Sequence, residues 1–228
     1  SYVTSDGIER DEMGNAIDLM DPSASIIYEL LNGEKNIYNV LDPTLLHKRE
    51  IYTNIISERI IKGKYIFLYN MWSKKNGINA AKILSKYLKM PVYAVMNKMD
   101  IVHVVRYVRN GIKVELKNTS PKDFLSMLFY SDFVITDSFH GTAFSLIFEK
   151  QFLCINDVNT NGKLKNDERI LNILQKLELE ERLVTYKDIK RICSYKKIDF
   201  SKVNKLRVEL SENSISMLQE AIVTTNRK

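Results

Sequence analysis

Phe133-Val134-Ile135-Thr136-Asp137-Ser138-Phe139-His140-Gly141-Thr142-Ala143-Phe144-Ser145 is the stretch that decides the fold. Its first four residues, Phe133 to Thr136, form an apolar, β-branched run of the kind found in strands covered on both faces. A polar turn follows, then a helix predicted over Thr142 to Glu149 and a second apolar run, Phe152-Leu153-Cys154-Ile155. A strand, a crossover helix and another buried strand imply a parallel sheet wound with right-handed connections.

Upstream, the same alternation continues. Tyr65 to Tyr69 reads as a buried strand between Gly63 and Asn70, and Asn76 to Met90 as a helix with Ala80, Ile83, Leu84 and Leu88 on its buried stripe. Pro91 ends that helix and opens a strand over Val92 to Met96. Val102 to Val108 is expected as another strand and Val114-Glu115-Leu116 as a short one. Ser120-Pro121-Lys122-Asp123 supplies an N-cap, a first-turn proline and a first-turn acid for the helix carrying Phe124, Leu125 and Leu128. Earlier still, a helix is predicted over Ser23 to Leu31, a strand over Ile37 to Leu41 ending at Asp42-Pro43-Thr44, and a helix over Glu50 to Ile61 stopped by Gly63. Downstream come a helix over Glu168 to Leu177 and an amphipathic segment from Val203 to Ile222. Asp157 to Asp167, rich in Asn, Gly and Lys, is expected as a mobile loop. The predicted fold is therefore α/β, a Rossmann-like parallel sheet with helices on both faces. Residues 1–36 read as a remnant of an N-terminal domain or a linker, and 37–228 as the Rossmann-like domain with a C-terminal helix.

The 228 residues, 45% hydrophobic and 27% charged, suffice for a buried core and describe an ordinary globular chain. A net charge of +6 suits an anionic ligand. No interleaved aromatic and basic patch accompanies it, so no nucleic-acid partner is expected. Cys154 and Cys193 lack metal-ligand spacing and cannot build a disulfide framework; Cys154 reads as a buried small hydrophobe. No apolar stretch approaches the roughly 18 residues of a membrane span. No basic-then-apolar leader is read in the given residues, and because the chain begins at Ser1 without a Met a missing native N-terminus is expected. A cytoplasmic location, at most on the inner membrane surface, is expected.

In an open parallel sheet, ligands bind beyond the carboxyl ends of the strands. The turn Asp137 to Thr142 stands at such an end, with an acid, two hydroxyls, a histidine and a glycine. Helix N-terminal N–H groups attract phosphate or carboxylate, Gly141 would admit a ligand close to the backbone, and His140 could act as acid, base or anion donor. The competing reading makes Ser138 a simple helix cap and His140 an ordinary first-turn residue. His47 and His103 lack such surroundings, and Lys74-Lys75 and Lys196-Lys197 read as solvated faces. Neither a G-x-G-x-x-G nor a P-loop pattern occurs, which argues against NAD or ATP in their usual modes.

Ser120 to Leu125 followed by Ser131 to Ser145 resembles the motif of the polysaccharide pyruvyl transferase family. Val40-Leu41-Asp42-Pro43-Thr44-Leu45-Leu46 is similar to a segment opening that family's second half. So is Glu168-Arg169-Ile170 with Ile173, Leu174, Leu177, Leu179 and Arg182. The resemblance extends over residues 37 to 185. It implies the C-terminal, GT-B-type domain of an enzyme that moves the enolpyruvyl group of phosphoenolpyruvate onto sugar hydroxyls. The implied acceptor is a surface polysaccharide or its oligosaccharide or lipid-linked precursor, with at most peripheral membrane contact. By the same resemblance His140 is the general acid and a phosphate ligand, and Ser138, Gly141, Thr142 and Arg169 are substrate-binding, with Lys163 and Lys165 complementing them. No cofactor or metal is implied, phosphoenolpyruvate being the donor substrate.

This sequence departs from the family in having only about forty residues before Asp42, and it lacks a basic segment expected there. An acceptor site or catalytic base in an N-terminal half would leave this chain incomplete. Two other functions fit the residues: a GT-B-type glycosyltransferase using a nucleotide sugar, and a non-catalytic anion-binding module. Thermal stabilisation by a nucleotide rather than phosphoenolpyruvate would select the first. An empty turn at Ser138 to Thr142 after soaking would favour the second.

Overall fold

The computed structural model describes residues 2–3, 9–10, 40–71, 74–95, 101–117, 120–156, 168–185, 188 and 196–225. The predicted helix Ser23 to Leu31, residues 37–39 of the predicted strand, and the 157–167 loop with Lys163 and Lys165 lie outside the described residues. The chain forms two compact units, residues 47–201 and residues 1–46 with 202–228.

The larger unit contains a six-stranded, wholly parallel sheet: β1 (Ile66–Tyr69), β2 (Val92–Val95), β3 (Lys113–Glu115), β4 (Phe133–Thr136), β5 (Phe152–Asn156) and β6 (Leu183–Thr185). Their order is β3-β2-β1-β4-β5-β6, the doubly wound arrangement, with the direction of winding reversing between β1 and β4. In register, Tyr69 stands opposite Thr136, and Thr136 opposite Cys154. Among the described residues, five α-helices lie between the strands: α1 (Lys74–Leu88), α2 (Ile101–Arg109), α3 (Pro121–Phe129), α4 (Phe139–Ile147) and α5 (Glu168–Lys176).

Alternation of side chains along each strand lets both faces be buried. Ile66, Leu68, Ile135, Leu153 and Ile155 form one face and pack with Ile78, Ala81 and Leu84 of α1. On the other face Phe124 of α3 meets the rings of Phe67 and Tyr69 at 5.8 and 4.6 Å. Each such buried side chain is worth about 1.5–3 kcal/mol, which is why the strands read as nearly unbroken apolar runs. The start of α3 is a full capping box. Ser120 Oγ accepts from the Asp123 N–H at 3.3 Å, Asp123 Oδ2 accepts from the Ser120 N–H at 3.1 Å, and Pro121 follows the cap.

Four elements differ from the sequence reading, the first being the end of the expected strand Ile37 to Leu41, whose Val40 and Leu41 are irregular. Val102 to Val108, expected as a strand, belongs to helix α2. Its apolar residues suit either period, and tertiary contacts override the weak β-preference of valine. Tyr107, 3% exposed, faces inward, and its hydroxyl accepts from Asn70 Nδ2 at 3.2 Å. Gly111, at φ +77°, supplies the left-handed turn that ends the helix. The predicted helix Glu50 to Ile61 shrinks to Arg49–Thr53, with Ile51 and Ile55 exposed. Five β-branched isoleucines weaken helix propensity there. The non-helical chain beyond is held by side-chain bonds: Ser57 Oγ donates to Asp123 Oδ1 at 2.6 Å, and Arg59 donates to the carbonyls of Ile61 and Gly63. Finally, α4 begins at Phe139 rather than Thr142, so His140 and Gly141 are helical. The edge strand β6 has no counterpart in the sequence reading.

In the smaller unit, Asp42 caps the helical turn Pro43–Leu46, its Oδ1 accepting from the Thr44 N–H at 2.9 Å. Helix α6 (Phe200–Thr225) contains the predicted amphipathic segment. Ser214 Oγ of α6 accepts from the Leu41 N–H at 3.0 Å, and Ser211 Oγ donates to Leu46 O at 3.4 Å. Among the described residues, no helix is long and apolar enough to cross a membrane.

Candidate functional site

The carboxyl ends of β1 and β4, where the winding reverses, are tied together by Asp137. Its N–H donates to Tyr69 O at 3.4 Å, and its Oδ1 accepts from the Met71 N–H at 2.6 Å. Asp137 is 2% exposed, so this carboxylate serves the backbone of the crevice rather than solvent. Burial, and then the Asp137 charge, raise the pKa of the Tyr69 phenol at the same place.

Ser138 takes the N-cap position of α4 with extended dihedrals, but its hydroxyl makes no capping bond. The simple cap expected of its side chain is thus absent. Instead its N–H donates to Thr136 Oγ1 at 3.1 Å, and its carbonyl accepts the first helical bond from the Thr142 N–H at 3.0 Å. Thr142 N–H is therefore committed to the helix. The N–H groups left over by helix geometry are those of Phe139, His140 and Gly141. The Thr142 hydroxyl is also engaged, with Ser138 O at 3.1 Å and Cys154 Sγ at 3.0 Å. Cys154 is fully buried, which pushes its thiol pKa up to about 12, in keeping with a packing role.

Gly141 has a packing use beside the ligand approach expected of it. A Cβ at this position would lie 2.2 Å from Thr136 Oγ1 and 2.9 Å from Thr136 Cβ. Its bare backbone lets α4 lie directly on β4, bringing the first turn of the helix down to the strand end.

His140, in that first turn, is exposed. Its ring meets the Phe139 ring edge-on, with centroids 5.7 Å apart. The Arg169 guanidinium, from the first turn of α5, sits 4.9 Å from the centroid of the same Phe139 ring. Phe139, 7% exposed, thus contacts both a histidine from its own helix and an arginine from α5. That platform escaped the sequence reading, because nothing local to Phe139 marks its contact with α5. His47 is exposed and His103 lies half-buried on α2. Among the described residues, no group of three His, Cys, Asp or Glu side chains could hold a metal ion.

The family model for polysaccharide pyruvyl transferase matches residues 21–157, more than half of the chain. The chain belongs to that family. The matched segment includes β1 to β5 and the turn from Asp137 to Thr142; Arg169 lies beyond it. No curated protein matches the chain in sequence. Among solved structures, the UDP-GlcNAc 2-epimerase of Methanocaldococcus jannaschii, in complex with UDP-GlcNAc and UDP, is similar at 12% identity and a TM-score of 0.43. The similarity covers 86% of this chain and 52% of that one, so the chain spans about half that enzyme's length.

Proposed function

We propose that this family member transfers the enolpyruvyl group of phosphoenolpyruvate to two hydroxyls of a saccharide, leaving a pyruvate ketal and inorganic phosphate. The observation that carries the reading is that Phe139, at the sheet edge where α4 presents its free N–H groups, contacts both His140 and Arg169. The donor phosphate is met by the N–H groups of Phe139, His140 and Gly141, and by the Arg169 guanidinium. A helix N-terminus alone contributes about 0.3–1 kcal/mol toward an exposed negative charge, so the arginine is needed for firm binding.

In this mechanism the His140 imidazolium gives its proton to the methylene carbon of the donor, which becomes a methyl group. The adjacent carbon becomes oxocarbenium-like and is attacked by one sugar hydroxyl, whose proton returns to the imidazole. The second hydroxyl displaces phosphate from the same carbon and closes the ketal, its proton leaving with the phosphate. Phosphate held by preorganised donors while charge redistributes supplies electrostatic stabilisation. Ser138 and Thr142 contribute by fixing the first turn of α4, and Gly141 by seating it. The acceptor is a saccharide of a surface polysaccharide or its precursor, made by a protein in the cytoplasm or at the membrane face.

The test is the reaction of the whole protein with phosphoenolpyruvate and an oligosaccharide acceptor in D2O. One deuterium per ketal methyl, together with release of one phosphate per ketal, is expected. Phosphate release with no ketal product, or a ketal methyl free of deuterium, would contradict the mechanism.

A further inference from the structure

A cleft opens at the amino ends of the same strands. Lys64 precedes β1, Lys89 and Met90 lead into β2, Phe133 opens β4, and Arg182 precedes β6; all line a cavity of about 550 Å³. Its floor is apolar, built from Leu84, Leu88, Met90 and Phe133, with the ring of Tyr87 beside it. Its rim carries Lys64, Lys89, Lys196 and Lys197, against Asp132 as the carboxylate in the lining.

The wall bearing Lys196 and Lys197 is built rather than incidental. Arg182 is 4% exposed and donates through its Nη2 to Lys196 O at 2.5 Å, while Glu181 takes up its Nε at 3.1 Å. Gln151 clamps the next turn of chain with both ends of its amide. Its Nε2 donates to Ile198 O at 3.3 Å and its Oε1 accepts from the Ile198 N–H at 2.8 Å. With Arg182 occupied in this way, the four lysines remain. All four are exposed, and among the described residues none is paired with a carboxylate. The carboxyl end of α1 at this edge attracts cations, but a helix end carries only about half a charge. Four lysines exceed what it needs.

An apolar floor under a cationic rim selects a ligand with both characters, and the volume falls in the range of about 300–1,000 Å³ typical of sites for small organic ligands. We infer that this amino-edge cleft binds an organic phosphate of about nucleotide size, its phosphates on the lysine rim and its ring body on the Leu84–Phe133 floor. This site is independent of the transfer chemistry assigned to His140.

Calorimetry of the protein with ADP, inorganic pyrophosphate and adenosine tests it. ADP is expected to bind more tightly than either of the others, because it alone engages rim and floor together. Lys64→Glu/Lys197→Glu changes two exposed side chains and should weaken ADP about tenfold, as expected for two exposed ion pairs lost and reversed. Arg169→Ala should leave ADP binding unchanged. Absence of ADP binding, equal affinity for ADP and pyrophosphate, or indifference to the double charge reversal would each overturn the assignment. Loss of ADP binding in Arg169→Ala would move the ligand to the β4 edge and overturn it as well.

Discussion

Replacing Gly141 by alanine inserts one methyl group between α4 and β4, at a spot where the structure leaves no room. The new Cβ would lie 2.2 Å from Thr136 Oγ1 and 2.9 Å from Thr136 Cβ, far inside contact distance. Rotating Thr136 about χ1 moves Oγ1 away but cannot move Cβ, and it breaks the bond that Oγ1 accepts from the Ser138 N–H. Alanine regains about 1 kcal/mol of helix propensity, while overpacking a tight site typically costs about 1–3 kcal/mol or more. With the hydrogen bond strained as well, a net loss of about 1–3 kcal/mol is expected, and a fall in Tm of about 2–4 °C per kcal/mol for a chain of this size. Urea unfolding of Gly141→Ala, Thr136→Ala and the double variant measures this directly. The double variant should be less destabilised than the sum of the singles by about 0.5–3 kcal/mol, because removing Oγ1 relieves the worst clash. A Gly141→Ala protein as stable as wild type, or strict additivity in the cycle, would refute the packing role.

Phe139→Leu keeps an apolar side chain but removes the ring beneath Arg169; phosphoenolpyruvate affinity, read by calorimetry, should fall about two- to fivefold, the worth of an exposed cation–π contact. Unchanged affinity would remove Phe139 from the site. Asp123→Ala deletes one half of the α3 capping box and the acceptor of Ser57, and should cost about 0.5–2 kcal/mol in urea unfolding. Hydrogen bonds from the Ser120 and Ser57 side chains lower the Asp123 pKa below its usual 3.8. Its contribution is therefore present above about pH 4 and lost as pH falls through the lowered folded value. A difference between wild type and Asp123→Ala that stayed constant down to pH 2 would contradict that assignment.

Much of the sheet was legible because the strands are covered on both faces. Phe133 to Thr136 is a strand over its predicted bounds, since burial on either side leaves no polar alternate to blur the run. Ser120-Pro121-Lys122-Asp123 was legible for a local reason, the chemistry of a capping box. Val102 to Val108 misled because valines at helical spacing also satisfy a strand pattern, and only the contact of Tyr107 with Asn70 decides between them. Leu183 to Thr185 escaped notice because a three-residue edge strand has too little burial to leave a pattern. At the site, the turn after β4 was found from residue types alone, and the contact between Phe139 and Arg169 was not, since it joins two helices across a long connection. Gly141 illustrates the same limit: sequence marks a glycine, but only packing against Thr136 says why it is one.

The central claim is that His140 donates the proton that starts transfer. The measurement is phosphate release from phosphoenolpyruvate by the whole protein with acceptor present, for wild type, His140→Ala and His140→Gln. General acids contribute about 10²–10⁴-fold in rate, so His140→Ala should lose turnover by that much. Glutamine keeps a hydrogen-bond donor at this exposed first-turn position but supplies no transferable proton. His140→Gln should therefore recover donor affinity while remaining as slow as His140→Ala. Near-wild-type turnover in His140→Gln would contradict the acid role and leave His140 as a phosphate ligand alone.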